Sequence, residues 1–532
     1  MLAVLVMLCA QLLANIPMGH ASTQDFLRVA LQSVPATMDA QRETDEYAQL
    51  AIQACMRGLY QRDANGMPVQ ALAATTEISD DGCTYTFRIR DDAFWSNGAP
   101  ITADDFVFGW QRAFDPAFKN TQAAMLADVG RIQNAAGILH GALSPETLGV
   151  RANGERELVV TLDAPVAFFP ALLCYPALFP ANRAWVTAMG TQYATSPDTM
   201  LTCGSYAITA FIPNRSISMQ YTPEADDAPP VLFRQLEMEA YPQQEAAWRA
   251  LQQGEVDICT GFSGATEPEG SVAFLSGMDT LGYLAVNQQN VPMLRKISIR
   301  KTLSDVIDRQ ELCRLLGSDY VPAIFVIPEG LAVGADGTDF RSMPVALDAA
   351  HNEPASENLS ETLEMLRKQE VHLDLLVPDD SFSRKVGMYL RTHWEAALPG
   401  IKISVTVKPA HEVQQSLASG DFQLCLTHYQ AQYPDPQAFL RMWMENDPNQ
   451  YGKWNIQAYQ ELMESITDGS LMLDPVARWG AMHEAENILM DYMVLIPLYQ
   501  QGQVAVSAVE TIAIPYHASS YQIDYAKAIR LP

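Results

Sequence analysis

The stretch that most constrains the fold of this chain runs from Cys83 to Pro116. Apolar and polar side chains alternate over residues 83–90, which is typical of a half-buried β-strand. Asn97-Gly98 favours a tight turn, because both residue types tolerate positive φ. Thr102 is the expected N-cap of a helix with two carboxylates in its first turn, where the helix dipole favours negative charge. The stretch predicts strand, turn and helix, and by itself no function.

A resemblance to a known family extends this prediction from fold to function. Residues 95–112 have the sequence WSNGAPITADDFVFGWQR. This string resembles the signature of extracytoplasmic solute-binding proteins of peptide-type ABC transporters, the oligopeptide/dipeptide-binding family (solute-binding protein family 5). Segments such as 157–170, 245–257 and 283–287 are similar to further elements of that family. The resemblance covers nearly the whole mature chain, and its role at residues 95–112 is architectural, so it identifies the fold rather than the ligand.

The resemblance implies an α/β protein with the two-lobe periplasmic-binding-protein-like fold (class II, large) and an extra N-terminal subdomain inserted in lobe one. A ligand would be enclosed in the cleft between the lobes, and closure about hinge segments would bury it. The boundaries that we predict are a signal peptide at 1–21, lobe one at 22–56, 181–281 and 506–532, the inserted subdomain at 57–180, and lobe two at 282–505.

Composition excludes some partners. The chain has 532 residues and a formal net charge of −28. Nucleic-acid backbones need clusters of Lys and Arg, so no nucleic-acid partner is expected. The acidic balance is typical of a well-solvated surface. We expect a monomer.

The amino terminus predicts export. Residues 1–24 carry no Asp, Glu, Lys or Arg, and Met1 to Leu13 form an apolar run too short to be a convincing membrane-spanning helix. Small residues at Gly19 and Ala21 indicate a signal peptide cleaved near Ala21. The alternative is a lipid anchor on Cys9, which Leu8 disfavours because a small residue is wanted there. Either way the mature chain is expected to be extracytoplasmic.

Seven cysteines follow Cys9, and none forms a C-x-x-C pair. An odd, scattered set is neither a disulfide scaffold nor a zinc site, so most should be small buried side chains. One pair is considered for a disulfide, Cys174 and Cys203, because both segments border lobe one near the cleft in the related family. Export would permit its oxidation.

Catalytic motifs are missing. The sequence contains no H-E-x-x-H, no P-loop and no G-x-G-x-x-G, and Ser263 lacks the final glycine of a nucleophile elbow. We therefore predict no enzyme, no metal site and no cofactor.

Residues 426–440 resemble the segment that lines the cleft in the family, commonly W-x-A-D-Y-x-[DE]-P-x-x-[FL]-L. Tyr433 and Asp435 keep the pattern, and Tyr429 replaces the Trp. Gln432 replaces the Asp that pairs with the α-ammonium group of the ligand in peptide-binding members. A neutral amide does not compensate the desolvation of a buried ammonium, so the resemblance implies a cleft tuned to something other than a free peptide terminus. The alternative is a drifted residue in a vestigial cleft.

The predicted ligand-binding residues are Gly204, His411, His428, Tyr429, Gln432, Tyr433, Asp435 and Tyr499. Peptides with free amino termini should bind weakly unless another carboxylate, such as Asp435, substitutes, and N-blocked or non-peptide ligands should suffer less. Three functions stay open. They are a receptor that delivers peptides or peptide-like solutes to an ABC importer permease, a sensing protein without its own importer, and a hydrolase, which the missing nucleophile–base pair disfavours.

Overall fold

The computed structural model describes residues 25–43, 45–63, 65–222, 231–262, 271–342, 364, 368 and 370–507, with the short pieces 512–513, 516–517, 522–523 and 525–530. The predicted signal peptide, Cys9 and Ser263 lie outside the described residues. Among the helices that are described, every one is too short or too polar to cross a bilayer.

The helices form from amphipathic segments with polar caps. In the first helix, the Asp45 side chain accepts hydrogen bonds from two backbone N–H groups of the first turn. The α-helices are α1 (Glu46–Cys55), α2 (Ala103–Phe114), α3 (Thr121–Val129), α4 (Ala135–Leu139), α5 (Phe169–Leu172), α6 (Arg183–Met189), α7 (Gln244–Gln252), α8 (Ile297–Asp305), α9 (Arg309–Leu316), α10 (Ser381–Ala397), α11 (Ala410–Ser419), α12 (Gln437–Leu440), α13 (Gln457–Thr467) and α14 (Pro475–Asp491).

The strands fall into one large sheet and several small ones. They are β1 (Phe26–Leu31), β2 (Tyr60–Arg62), β3 (Pro68–Gln70), β4 (Ala73–Ile78), β5 (Thr84–Ile89), β6 (Val150–Ala152), β7 (Glu157–Thr161), β8 (Tyr206–Ile212), β9 (Ser216–Tyr221), β10 (Gln235–Ala240), β11 (Ile258–Thr260), β12 (Val272–Val286), β13 (Tyr320–Pro322), β14 (Val371–Pro378), β15 (Ile401–Lys408), β16 (Leu424–Gln430), β17 (Leu495–Ser507), β18 (Ile512–Ala513), β19 (Tyr516–His517), β20 (Gln522–Ile523) and β21 (Ile529–Arg530).

The predicted strand, turn and helix at residues 83–116 are confirmed as β5, a turn with Gly98 at φ +81°, and α2. Asp105 secures the start of α2, because its carboxylate accepts from the Thr102 backbone N–H at 2.9 Å and from the Trp95 indole N–H at 3.1 Å. Strand β5 belongs to a separate four-stranded sheet in the order β4-β5-β7-β6. The bounds 57–180 for an inserted subdomain around this sheet stay a prediction.

Two long antiparallel strands carry the main sheet through both lobes. Its order is β15-β14-β16-β12-β17-β11-β1-β10-β9-β8, with β13 paired to β17. Strands β12 and β17 pair from Val272↔Ser507 at one end to Ala285↔Leu495 at the other, with register shifts in between. The predicted lobe boundaries at 281–282 and 505–506 fall inside these two crossing strands.

The register fixes how the two lobes face each other. In lobe one β11 is parallel to β1, and it runs from Ile258↔Ser507 to Thr260↔Ala505, toward the middle of the crossing strands. In lobe two β16 is parallel to β14, and it runs from Leu424↔Val286 to Gln430↔Thr280, toward the same middle from the other end. The carboxyl ends of both sets of parallel strands therefore point at one another across a cleft.

The predicted Cys174–Cys203 disulfide is wrong. All seven cysteines among the described residues are in the thiol form. The Cys174 thiol lies 3.9 Å from the Pro170 carbonyl, whereas the Cys203 sulfur accepts the Arg57 backbone N–H at 3.4 Å. The Cys203 backbone N–H donates to the Cys55 carbonyl at 3.1 Å, so its cysteine neighbour along this hydrogen bond is Cys55.

Candidate functional site

Lobe two presents several predicted ligand residues at one sheet edge. Parallel strands β14, β15 and β16 end together there, and each is followed by a segment of the candidate site. His411 is exposed in the first turn of α11, directly after β15, and His428 is exposed near the end of β16. In open α/β sheets ligands bind outside the carboxyl ends of the strands, so this edge is the expected binding surface.

Tyr499 lies across the crossing strands beside His428. Gly282 pairs with His428 on one side and with Tyr499 on the other, so the three residues share a face of the sheet. A Cβ atom on Gly282 would lie 2.1 Å from the Tyr499 ring, so the ring occupies the space that glycine leaves. Tyr499 is buried, and burial raises the pKa of its phenol well above the ordinary value.

Two half-buried aromatic rings cover Tyr499. The Tyr320 and Phe382 rings stack at a centroid distance of 5.2 Å, and each meets the Tyr499 ring edge-on, at 5.3 and 5.6 Å. Phe382 is in the first turn of α10, which follows β14, so this aromatic cluster belongs to the same edge. It offers an apolar surface there, a feature that sequence reasoning missed because its members are far apart in the chain.

The segment 430–435, which we call the Gln432 loop, is held from several sides. The Ala431 backbone N–H donates to the Asp279 carbonyl at 2.8 Å, and the Gln430 amide donates to the Asp279 carboxylate at 3.1 Å. Asp279 is buried in the crossing strand β12, and burial raises the pKa of its carboxyl. The Tyr175 hydroxyl donates to the Gln432 carbonyl at 2.9 Å from the far side. The Gln432 side chain itself is exposed.

Tyr433 points away from solvent. Its ring stacks on Phe168 at 5.2 Å with an interplanar angle of 9°, and it is 2% exposed. Burial raises the pKa of its phenol far above the ordinary value, and the Arg441 guanidinium opposes that rise. Tyr433 therefore anchors the Gln432 loop against residues 168–175. Tyr429 is half-buried against Phe439 at 5.2 Å, and burial raises the pKa of its phenol to about 12.

Asp435 is the centre of a buried ion pair. Its two carboxylate oxygens accept from the two terminal nitrogens of Arg478 at 2.8 and 2.9 Å. Asp435 is 4% exposed and Arg478 is 3% exposed. The Gln437 backbone N–H and the Gln437 side-chain oxygen complete the cluster at 2.9 and 2.7 Å. This carboxylate is neutralised inside the protein, so it does not offer the substitute charge that the sequence left open.

Gly204 lies apart from the residues of lobe two. Its backbone N–H donates to the Cys55 carbonyl at 2.8 Å, and a Cβ atom would lie 2.6 Å from the backbone of Cys55. It lines a cavity of about 390 Å³ together with residues such as Arg57, Arg90 and Trp95, none of them in lobe two. The geometry gives Gly204 a packing role, whereas His428 and Tyr499 flank Gly282 in neighbouring strands.

Lobe one supplies the opposite edge. Gln32 and Ser33 follow β1, and Gly261 follows β11. The Gly261 carbonyl accepts from the Tyr47 hydroxyl at 3.3 Å and also from the Gln32 amide. Gly261 has φ +83°, and a Cβ atom would lie 2.3 Å from the Tyr47 ring, so only glycine fits this turn. The Ser33 hydroxyl donates to the Asp45 carboxylate at 3.1 Å, so this edge carries a negative charge beside its neutral polar groups.

Comparisons with known proteins agree with this architecture. Over 516 residues the chain is 26% identical to a probable deoxycholate-binding periplasmic protein, YgiS, of Escherichia coli K12, covering 95% of this chain and 92% of the relative. Over 528 residues it is 25% identical to a dipeptide-binding protein of Lactococcus lactis subsp. cremoris MG1363, covering 96% and 95%. The solved structure of the periplasmic murein tripeptide-binding protein MppA, in its unliganded open form, matches with a TM-score of 0.82 at 21% identity, covering 95% of this chain and 97% of that one.

The fold class and the family predicted from the sequence are thereby confirmed, namely a mixed α/β protein of two lobes. The model of the family described as bacterial extracellular solute-binding proteins, family 5 (Middle), matches residues 67–451, which is well over half of the chain. The chain belongs to family 5 of the bacterial extracellular solute-binding proteins.

Proposed function

We propose that this protein is an extracytoplasmic receptor that captures a peptide or peptide-like ligand between its lobes and delivers it to the permease of an ABC importer. The observation that carries the proposal is the register of β12 and β17, which makes the carboxyl ends of the parallel strands of both lobes face one another. Two crossing strands are a natural hinge, so closure would bury a ligand between the edges. A dipeptide-binding relative that aligns over nearly the whole chain supports a peptide ligand.

At the Gln432 loop the ligand terminus is read by a neutral side chain. Gln432 offers an exposed amide at the cleft edge, and the nearby Asp435 carboxylate is occupied by Arg478. Hydrogen bonds to charged groups contribute about 1.5–3 kcal/mol, against about 1 kcal/mol between neutral groups. The preferred ligand is therefore one without a free α-ammonium group, such as an N-blocked peptide. His411 and His428, both exposed, are the further contacts that we propose on lobe two, and Tyr499 supports the Tyr320 and Phe382 rings from behind.

A non-peptide ligand is the second candidate, and one observation favours it. The Tyr320–Phe382 pair presents a half-buried apolar surface at the same edge, which suits a rigid apolar ring system. The relative YgiS, described as a probable deoxycholate-binding periplasmic protein, supports a ligand of that kind. The protein acts as a monomer, exported by its signal peptide or anchored at Cys9, and needs no cofactor for capture.

The test compares two matched ligand pools, random tripeptides with free amino termini and the same pool N-acetylated. Retention of each pool on the purified protein is measured by equilibrium dialysis and mass spectrometry. We expect the wild type to favour the acetylated pool, and Gln432→Asp to shift the preference toward free amines by about tenfold, one ion-pair contribution. Gln253→Asp adds the same charge at an exposed site on the far end of α7 and should change nothing.

Each outcome of this experiment tests one part of the proposed function. A strong preference of the wild type for free amines contradicts the assignment of Gln432. If neither pool is retained by either protein, the peptide ligand is refuted, and deoxycholate is the next probe. Neighbouring permease and ATPase genes distinguish an importer receptor from a sensing protein.

A further inference from the structure

Two cysteines meet where the chain leaves lobe one and where it returns. Cys55 is the last residue of α1, directly before the segment 57–180, and Cys203 lies just before β8. The backbone N–H groups of Cys203 and Gly204 donate to the Cys55 carbonyl at 3.1 and 2.8 Å. The two cysteines are therefore joined by a direct backbone hydrogen bond, although 148 positions separate them in sequence (203 minus 55).

That hydrogen bond sets the separation of the two Cα atoms. The path from one Cα through its carbonyl oxygen to the N–H and Cα of the other bends at each atom, so the Cα atoms lie about 6 Å apart. Disulfides span Cα separations of about 4.4–6.8 Å. The backbone at Cys55 and Cys203 therefore satisfies the distance condition for a disulfide without a large movement.

The side chains lie in a shared environment. The Cys203 sulfur accepts the Arg57 backbone N–H at 3.4 Å, and the Cys55 thiol donates to the Ile52 carbonyl at 3.4 Å. Both sulfurs act on the Tyr193 phenol, since each contributes to raising its pKa after the larger effect of burial. After burial, the nearby Cys203 sulfur is the second cause that raises the pKa of the Cys55 thiol. To bond to each other, the Cys55 sulfur must leave the Ile52 carbonyl and the Cys203 sulfur must leave the Arg57 N–H.

Access to the two thiols is unequal. Cys55 is fully buried, whereas Cys203 is half-buried and lines the cavity of about 390 Å³ together with Arg57, Arg90 and Asp92. A disulfide-bearing oxidant can therefore reach Cys203 first, and the Cys203 sulfur is the one that attacks it. Cys55 is then placed to attack the mixed disulfide that forms between Cys203 and the oxidant.

We propose that Cys55 and Cys203 form a disulfide bond in the exported protein. The oxidant is a disulfide donor, either an oxidised thiol–disulfide oxidoreductase or oxidised glutathione, as the extracytoplasmic setting of the family permits. The Cys203 thiolate attacks one donor sulfur and releases the other as a thiolate. The Cys55 sulfur then attacks the Cys203 sulfur, giving up its proton as the bond forms, and the second donor sulfur leaves as a thiolate. Two electrons pass to the donor, and the two thiol protons end on its two thiols.

The bond would link the two ends of the inserted segment. The closed loop contains strands β2 to β7, including the whole second sheet. Cross-linking a loop of this length removes much freedom from the unfolded chain, so the oxidised protein should melt higher than the reduced one by about 5 °C or more. Because the pair lies away from the Gln432 loop, ligand preference should be the same in both forms.

The test starts with the reduced full-length protein, incubated with oxidised glutathione, alkylated with iodoacetamide and digested without reductant. Mass spectrometry should recover a peptide with Cys55 linked to Cys203, and thermal unfolding should shift down on addition of dithiothreitol. Cys203→Ser should lose both the linked peptide and the shift. Cys174→Ser is the matched control, because its buried thiol also lies in this half of the chain, and it should behave as the wild type.

Three results would overturn the proposal. They are alkylation of both Cys55 and Cys203 after the oxidation, recovery of Cys203 linked to Cys174, and a melting shift that persists in Cys203→Ser. Peptide mapping of the wild type alone decides the case if the serine variant does not fold.

Discussion

Replacing Asp435 by Asn tests whether this carboxylate serves the fold or the ligand. In the structure both of its oxygens are taken by Arg478, at 2.8 and 2.9 Å, and both side chains are almost fully buried. Asn keeps the shape but removes the charge. The Arg478 guanidinium would then be buried with only neutral oxygens around it, namely the side-chain oxygen of Gln437 and the carbonyl of Ile466.

The expected cost is large. Two opposite charges about 4 Å apart attract by about 4 kcal/mol at an effective dielectric constant of about 20. Removing one partner of a buried pair costs about 3–5 kcal/mol, because the other charge stays desolvated without compensation. Asp435→Asn should therefore lower the free energy of unfolding by about 3–5 kcal/mol. Asp92→Asn is the matched control, since its pair with Arg90 is about half exposed and such pairs contribute less than about 1 kcal/mol.

The measurement is urea unfolding of the two single variants, of Arg478→Met and of the double variant Asp435→Asn/Arg478→Met. The double variant should be less destabilised than the two single costs added together, because neither charge is left alone. The ratio of acetylated to free tripeptides retained should stay that of the wild type. The reasoning is refuted if Asp435→Asn is as mild as Asp92→Asn, or if it selectively loses free-amino peptides at unchanged stability.

Three further changes probe separate parts of the structure. Tyr175→Phe removes the hydroxyl that donates to the Gln432 carbonyl, so hydrogen exchange of the loop amides should become faster. Peptide retention should fall by about threefold to tenfold, the contribution of one hydrogen bond, and unchanged exchange would contradict this role. Gly204→Ala forces a Cβ atom to within 2.6 Å of the Cys55 backbone, so the melting temperature should fall while the ligand preference stays; a selective loss of ligand would restore Gly204 to the binding site. Burial lowers the pKa of His483 from 6.5 to about 4. Between these two pH values the unfolded chain binds a proton at His483 and the folded protein does not, so the free energy of unfolding should fall as the pH drops from 6.5 to about 4. His483→Phe should flatten that fall in thermal unfolding at pH 7, 6 and 5, and an equally steep fall would exclude His483 as its cause.

Local determinants explain what the sequence predicted well. The elements at residues 83–116 form where they were expected, because alternation, an Asn-Gly turn and a capped amphipathic helix act over a few residues each. The Gln432 loop was located from its resemblance to a cleft-lining element, and its place in a ligand site stays a prediction. In both cases the information lies within a short window of sequence.

Long-range pairing explains which contacts could not be predicted from the sequence. Arg478 is 43 residues from Asp435, and Tyr175 is 257 residues from Gln432. Nothing near Arg478 or Tyr175 in the sequence marks it as a partner, because the sheet order alone decides which segments meet. The disulfide prediction failed for the same reason. Cys203 lies beside Cys55, which the chain order gave no reason to prefer over Cys174.

These distant contacts connect residues 168–175 to the Gln432 loop, although the two segments lie far apart in the chain. The Phe168 ring is stacked on Tyr433, and the Arg478 guanidinium lies 5.3 Å from the centre of that ring. Arg478 in turn holds Asp435, and Tyr175 holds the carbonyl of Gln432. The Gln432 loop is thus supported by residues 168–175, which lie in the segment 57–180 that we predict to be inserted in lobe one. A rotation of the lobes about β12 and β17 must either carry these contacts along or break them, so the pose of Gln432 and the arrangement of the lobes are coupled.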